Sequence, residues 1–347
     1  MNLDLAKKVA DAVLYEGYIL YPYRASAIKN RQRFNFGVLM PGEWAEHSQS
    51  GETGRMQTEC LVEGESPRIE VRVRFLQLIA RDIGRVPSDV TQADSVAYEI
   101  VPQLEVDGEI LQSWEEALDR EIVAADLRLA DLSASPKVVR WSMLGEHAIE
   151  SVRRSDGAIA GVVIRTQRPI DARITIRSER LADKLWKLIV QIENITPLEA
   201  EVPRPLAQQS ALASAHALLV ARSGQFVSLL EPPEAFAPYV GACQNVGAWP
   251  VLLGETEDRD LVLASPIILY DYPQIAPESD GDYFDGTEMD EMLALRVMTL
   301  TDDEKRAMRS VDRRAREILE RTETLSQSSL MHLHGTIREL KQVDVPN

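Results

Sequence analysis

The residues that could carry chemistry are few and widely spaced. Cys60 and Cys243 are the only cysteines, 183 positions apart, and no Cys-x-x-Cys pair occurs. An iron–sulfur or zinc centre needs three or four clustered ligands, so this spacing excludes both, and neither thiol stands in a nucleophile motif. His332 and His334 are spaced like alternate residues of a strand but fall in a stretch that reads as a loose tail, and His47, His147 and His216 are isolated. The densest carboxylate group is Asp280, Asp282, Asp285, Glu288, Asp290 and Glu291. A calcium loop requires Asp-x-Asp-x-Asp-Gly, yet Phe284 holds the third ligand position and Asp285 comes one residue late. The cluster therefore reads as a polar loop entering a helix, whose dipole favours acids in the first turn. No His-Glu-x-x-His, Gly-x-Ser-x-Gly, phosphate loop or dinucleotide fingerprint is present. No catalytic residue, metal ligand or cofactor is assigned, and the reading leans away from an enzyme.

What remains is charge and aromatic character. The 347 residues carry 38 basic and 55 acidic side chains, a net charge of −17, which opposes nucleic acid as a partner. The excess is local: Glu255 to Glu304 holds 15 acidic and two basic residues, and Lys305 to Arg321 then reverses the sign. A second basic island, Arg24, Lys29, Arg31 and Arg33, has no acid within it and follows Tyr15, Tyr18, Tyr21 and Tyr23. Two uses fit these residues. Tyr21, Tyr23, Arg24, Lys29, Arg31 and Arg33 form a surface for an acidic partner, with Asp280–Glu291 as an acidic contact surface, or the Tyr15–Arg33 stretch lines a pocket of an enzyme or small-anion-binding protein. Otherwise the cations are paired internally and the tyrosines are half-buried anchors.

The elements that must hold these groups follow from periodicity. Leu3–Glu16 patterns as a helix, and Pro22 ends any continuation. Phe34, Phe36 and Val38 alternate as in a strand, and Arg68–Ile79 alternates for its full length, with Ile69, Val71, Val73 and Phe75 on one face and Arg68, Glu70, Arg72 and Arg74 on a wet face. Asp107-Gly108 signals a type I′ hairpin, and Ser113 with Glu116 has capping-box spacing for a short helix. Further strands are expected at 138–149, 158–168, 172–180, 185–192 and 261–270, with a hairpin turning at Ser223-Gly224. Two capped helices close the chain. The second, opened by Thr301 and Glu304, carries Met308, Val311, Ala315, Ile318 and Leu325 along one stripe. The fold class is α+β, a β-rich antiparallel sandwich or barrel-like middle with an N-terminal helix and C-terminal helices. Length suggests about two domains. The proline-rich stretch 197–205 places them at 1–200 and 201–327, with 328–347 as a tail. No run approaches the ~20 apolar residues of a membrane span. Asp4 and Asp11 disfavour a secretory signal, and the expected location is cytoplasmic.

Four blocks carry a family look: LYEGYILYPYRASAIKNRQRFNFGVLMP (Leu14–Pro41), MQTECLV (Met56–Val62), VRVRFLQLIAR (Val71–Arg81) and LYDYPQIAPESDGDYFDGTEMDEMLALRVMTLTDDEK (Leu269–Lys305). Together they cover about a quarter of the chain. They resemble a family of accessory proteins encoded beside actinobacterial-type, high-affinity [NiFe]-hydrogenases. The resemblance implies a role in making or serving a hydrogenase, with a hydrogenase subunit or maturation protein as partner. It carries over no catalytic residues. A catalytic large subunit needs two Cys-x-x-Cys pairs and an electron-transfer subunit needs many cysteines, so two lone cysteines leave the accessory role.

Overall fold

The computed structural model describes residues 3–25, 27–31, 33–34, 36–48, 51–87, 97–275, 281, 283–284 and 289–325. Helix α1 (Leu3–Tyr15) and the short α2 (Gly42–His47) lead into β1 (Arg55–Arg85). There follow β2 (Glu99–Val101), the hairpin β3 (Gln103–Val106) and β4 (Glu109–Gln112), β5 (Trp114–Arg128) and α3 (Leu129–Ala134). The meander continues through β6 (Lys137–Met143), β7 (Glu146–Arg153), β8 (Ile159–Gln167), β9 (Ile170–Ala182) and β10 (Leu185–Asn194). After α4 (Arg204–Gln208) come β11 (Ala213–Val227), α5 (Ala237–Val240), β12 (Trp249–Leu252) and β13 (Leu261–Ser265). Three helices end the described chain: α6 (Asp290–Met298), α7 (Asp302–Val311) and α8 (Arg313–Thr324).

This is an α+β fold built on one large antiparallel sheet. Its main path runs β12-β13-β11-β1-β10-β9-β6, with β2, β5 and β8 also on β1 and β7 on β8. One strand serves so many neighbours because β1 is 31 residues long and changes partner along its length. Residues 55–63 pair with β10, 68–81 with β5, and 83–85 with β2 on one side. Residues 61–76 pair with β11 and 79–85 with β8 on the other. The register with β11 shifts between Glu63 and Arg68, where Gly64 lets Gly224 approach to 3.1 Å from the place of an added Cβ. Stretch 197–205 connects β10 and β11, which both pair with β1, so a single sheet runs through the expected domain boundary.

The alternation of β1 sorts its side chains into two cores. Ile69, Val71, Val73 and Phe75 face a core shared with Ile170, Ile174, Leu188 and α3's Leu129 and Leu132. Leu76 and Leu78 face a second core with Tyr15, Tyr18, Phe284 and the C-terminal helices. The face expected to be wet is largely covered. Glu70 and Arg74 are buried, Arg74 paired with Asp11 of α1 at 2.6 Å and Glu70 with Arg222 at 2.7 Å. Helix α1 lies over β11 and β13, burying Val9 and Val13 against Leu218, Val220 and Leu263. Burying those two valines supplies roughly 3–6 kcal/mol.

Several local expectations are corrected. Phe34, Phe36 and Val38 lie in no strand: Phe34 and Gly37 have positive φ, and Leu39 makes isolated bridges to Leu212 and Thr53. Ser113 opens no helix. Its hydroxyl accepts from Ile83 N and donates to Val101 O, and strand β5 starts at Trp114 because Trp114 and Ala117 find core positions. Gly224 (φ +88°) breaks no hairpin but lies within the continuous β11. The Asp107-Gly108 turn, with φ of +52° and +85°, joins β3 and β4 as a type I′ turn requires. The stripe from Met308 to Ile318 is buried, but Asp312 splits the expected single helix into α7 and α8.

Candidate partner-binding site

Residues 15–34 and 283–314, far apart in sequence, interlock into one structure. Gly17 N donates to Phe284 O at 3.0 Å, and the Tyr23 hydroxyl donates to Tyr283 O at 3.1 Å. The rings of Tyr15 and Tyr18 pack on Phe284 at 5.8 and 6.0 Å between centroids. Arg296 of α6 stacks over Tyr21 at 5.4 Å, and Arg24 pairs with Glu304 of α7 at 3.2 Å. The described residues of these two distant segments therefore meet in a single joint.

Within it Arg33 is an interior residue. It is 6% exposed, and its guanidinium lies 3.6 Å from the Trp114 ring centroid. One nitrogen donates to Tyr18 O at 3.0 Å, the other to Glu115 O at 3.1 Å and Glu115 Oε2 at 3.4 Å. Burial pushes its pKa down, and the Glu115 charge opposes that. Tyr18, whose hydroxyl donates to Asp312, has its pKa driven up by burial and then by the Asp312 charge, so it stays a neutral phenol. Tyr15 bonds Asp119 and accepts from Arg314, whose guanidinium stacks on its ring at 4.0 Å. These tyrosines are anchors.

The expected contact residues separate accordingly. Arg33 and Tyr23 are enclosed, Tyr21 is half-buried under Arg296, and Arg24 is half-exposed and ion-paired. Lys29 is open to solvent beside Ile28, which is 82% exposed. Arg31 ends the same 3-10 turn, Ile28–Arg31, and its side chain lies outside the described residues. Asn30, buried beneath that turn, holds it: its amide donates to Leu20 O and Arg24 O while its oxygen accepts from Leu20 N at 2.8 Å. On the acidic side, Asp290 and Glu291 occupy the first turn of α6, half-buried and engaged in polar interactions. Asp280, Asp282, Asp285 and Glu288, like His332 and His334, lie outside the described residues.

Beside the joint, an open cleft of about 370 Å³ runs between the β3–β4 hairpin and the elbow of α7 and α8. Arg81, Arg306, Arg309, Arg313 and Arg316 line it, against Glu109 and Asp312. The basic run after Glu304 is visible in the sequence, whereas Arg81, 230 positions from its partner Val311, is brought beneath it only by the fold. The usable signal was the first turn of α8, where Arg313 and Arg314 follow the Asp312 cap with no acid.

Neither thiol is activated as a nucleophile. Burial raises the Cys60 pKa far above its usual range and pushes Cys243 up to about 11, so both are protonated at neutral pH. His216 is enclosed, and His47 and His147 are exposed, bonded to Glu43 O and Thr166 Oγ1. Among the described residues no three His, Cys, Asp or Glu side chains converge to hold a metal ion, and no helix is long and apolar enough to cross a membrane. No protein-family model matches the chain, and no curated protein matches it significantly.

Proposed function

We propose that this chain is a non-catalytic accessory factor that binds a [NiFe]-hydrogenase subunit or one of its maturation proteins in the cytoplasm. The resemblance supplies the partner class. The observation that supports a binding role is the 3-10 turn at Ile28–Arg31. Asn30, Tyr23 and Arg33 pin that loop from inside, and on its outer side Ile28 and Lys29 stand in solvent. A turn held by the hydrogen bonds of Asn30, presenting an exposed apolar side chain next to a cation, suits contact with a partner because a held turn loses less entropy on association. Arg24 and the α6–α7 region flank the turn and extend the face.

The test is affinity capture of the tagged full-length chain from cells grown on hydrogen, followed by mass spectrometry. Near-stoichiometric recovery of a hydrogenase subunit or maturation protein is expected, and Ile28→Asp combined with Lys29→Glu should abolish it without lowering the melting temperature. Recovery of the chain alone, or capture indifferent to those substitutions, contradicts the proposal.

A further inference from the structure

The arginine cleft has a chemistry of its own, independent of any protein partner. Its floor is Arg81, only 13% exposed in its side chain. The Arg81 guanidinium donates to Gln112 O at 2.9 Å and to Val311 O at 2.6 Å, and it pairs with Glu116 at 3.0 Å. That fixes the C-terminal end of α7 against β5 and so fixes the elbow. The rim is different. Arg306, Arg309, Arg313 and Arg316 come from α7 and α8, and each has at most one partner for a five-donor fork: Asp303, Glu323, Glu317 and the Arg309 carbonyl. Arg313 is 89% exposed.

The placement runs against helix electrostatics. The amino end of α8 should attract acids, yet Arg313, Arg314 and Arg316 crowd its first turn. Arg314 is accounted for by Tyr15 and Asp119 in the joint. Arg313 pairs only with Glu317 on its own helix, and Arg316 donates to the Arg309 carbonyl, so neither is tied into the joint. Asp312 is already committed, accepting from Ala315 N at 2.8 Å and from Tyr18. Five guanidinium groups face one concavity, and although Arg81, Arg306, Arg309 and Arg313 are each ion-paired, the four rim forks keep donors to spare for a ligand.

We infer that this cleft binds a small ligand bearing two or more oxyanion groups, phosphate or carboxylate. Guanidinium forks pair bidentately with either, and two helices meeting at an elbow supply cations on both sides of one ligand. A multiply charged anion would also neutralise the misplaced cations at the start of α8.

Isothermal calorimetry on the full-length chain at low ionic strength tests this with pyrophosphate and citrate as probes. Saturable binding of at least one probe is expected, weakening as salt is raised. Arg309→Ala with Arg316→Ala should weaken it by roughly tenfold or more, each lost charge-assisted contact contributing. Arg309 also pairs with Glu323, so Arg313→Ala with Arg316→Ala serves as a second variant, which keeps that pair and removes only exposed contacts to Glu317 and the Arg309 carbonyl. Lys137→Ala, on the exposed face of β6 and outside the cleft, should bind as the parent does. Preference for pyrophosphate identifies a phosphoryl ligand, and preference for citrate a carboxylate ligand. The inference is overturned if neither probe binds saturably below about 10 mM, a range in which multiply paired anions are held. It is equally overturned if binding survives both double variants unchanged.

Discussion

Replacing Arg33 separates an interior brace from a docking cation. Arg33→Ala removes two charge-assisted hydrogen bonds to the buried carbonyls of Tyr18 and Glu115, and the stack over Trp114. At the low end of about 1.5 kcal/mol each, the two bonds amount to ~3 kcal/mol. The desolvated cation–π contact adds about 1–2 kcal/mol. Against this, the guanidinium is no longer dehydrated, and Glu115, with a side chain 34% exposed, can return to water. The balance is a loss of about 3 kcal/mol. Unfolding entropy of ~2.1 cal/mol/K per residue over 347 residues is about 0.7 kcal/mol/K, so the melting temperature should fall by roughly 4 °C. Arg33→Lys keeps the charge but lacks the planar fork, and should recover less than half of the loss. Scanning calorimetry at neutral pH is the assay, with the exposed Lys29→Ala as the control. If Arg33→Ala melts within ~1 °C of the parent, the brace has no net stabilising effect and the reasoning fails.

Other outcomes follow from the same geometry. Burial holds the His216 imidazole at about 4 against an ordinary 6.5, while its Nδ1 donates to Ser214 O and Arg74 adds a further depression. Above pH 6.5 the residue is neutral folded or unfolded. Between pH 6.5 and 4 only the unfolded chain takes up the proton, so stability should fall by roughly 3 kcal/mol across that window. Melting temperatures measured against pH should therefore flatten in His216→Gln, and identical slopes would reject this. Thr301 caps α7 reciprocally with Glu304, so Thr301→Ala should cost about 1 kcal/mol in urea unfolding and Thr301→Ser almost nothing. An unchanged midpoint in the alanine variant would deny the cap its role. Gly161 has no room for a methyl group, since its Cβ would lie 2.5 Å from Gly84 O where β8 crosses β1. Gly161→Ala should destabilise by ~1–3 kcal/mol, and a neutral effect would mean the strands separate freely.

Much of the fold was legible because its elements announce themselves locally. Ile69–Phe75 alternates, Asp107-Gly108 has the conformational freedom a type I′ turn demands, and Thr301 with Glu304 makes the capping box in full. The elements that were missed depend on distant partners. Strand β5 carries the charged sequence Glu115-Glu116 that reads as helical, and becomes a strand because β1 offers a ladder along residues 68–81. Phe34, Phe36 and Val38 alternate, but Phe34 and Gly37 take positive φ and Phe34 packs in the tyrosine core. The binding residues divided in the same way. A run of four cations shows in the sequence, but which faces inward depends on Trp114 and Glu115, some 80 positions later, with Arg33 reaching Glu115 across 82. The arginine cleft depends on the pairing of Arg81 with a helix end 230 positions away.

The proposed docking surface for a hydrogenase-related protein is the Ile28–Lys29 turn. A photo-crosslinking amino acid placed at position 28, 82% exposed in the free chain and irradiated in cells grown on hydrogen, reports what touches that turn. The expected product is a covalent adduct whose second component is a hydrogenase subunit or maturation protein, lost when Lys29→Glu is added. Crosslinks confined to this chain, or to proteins unrelated to hydrogenase assembly, would contradict that assignment.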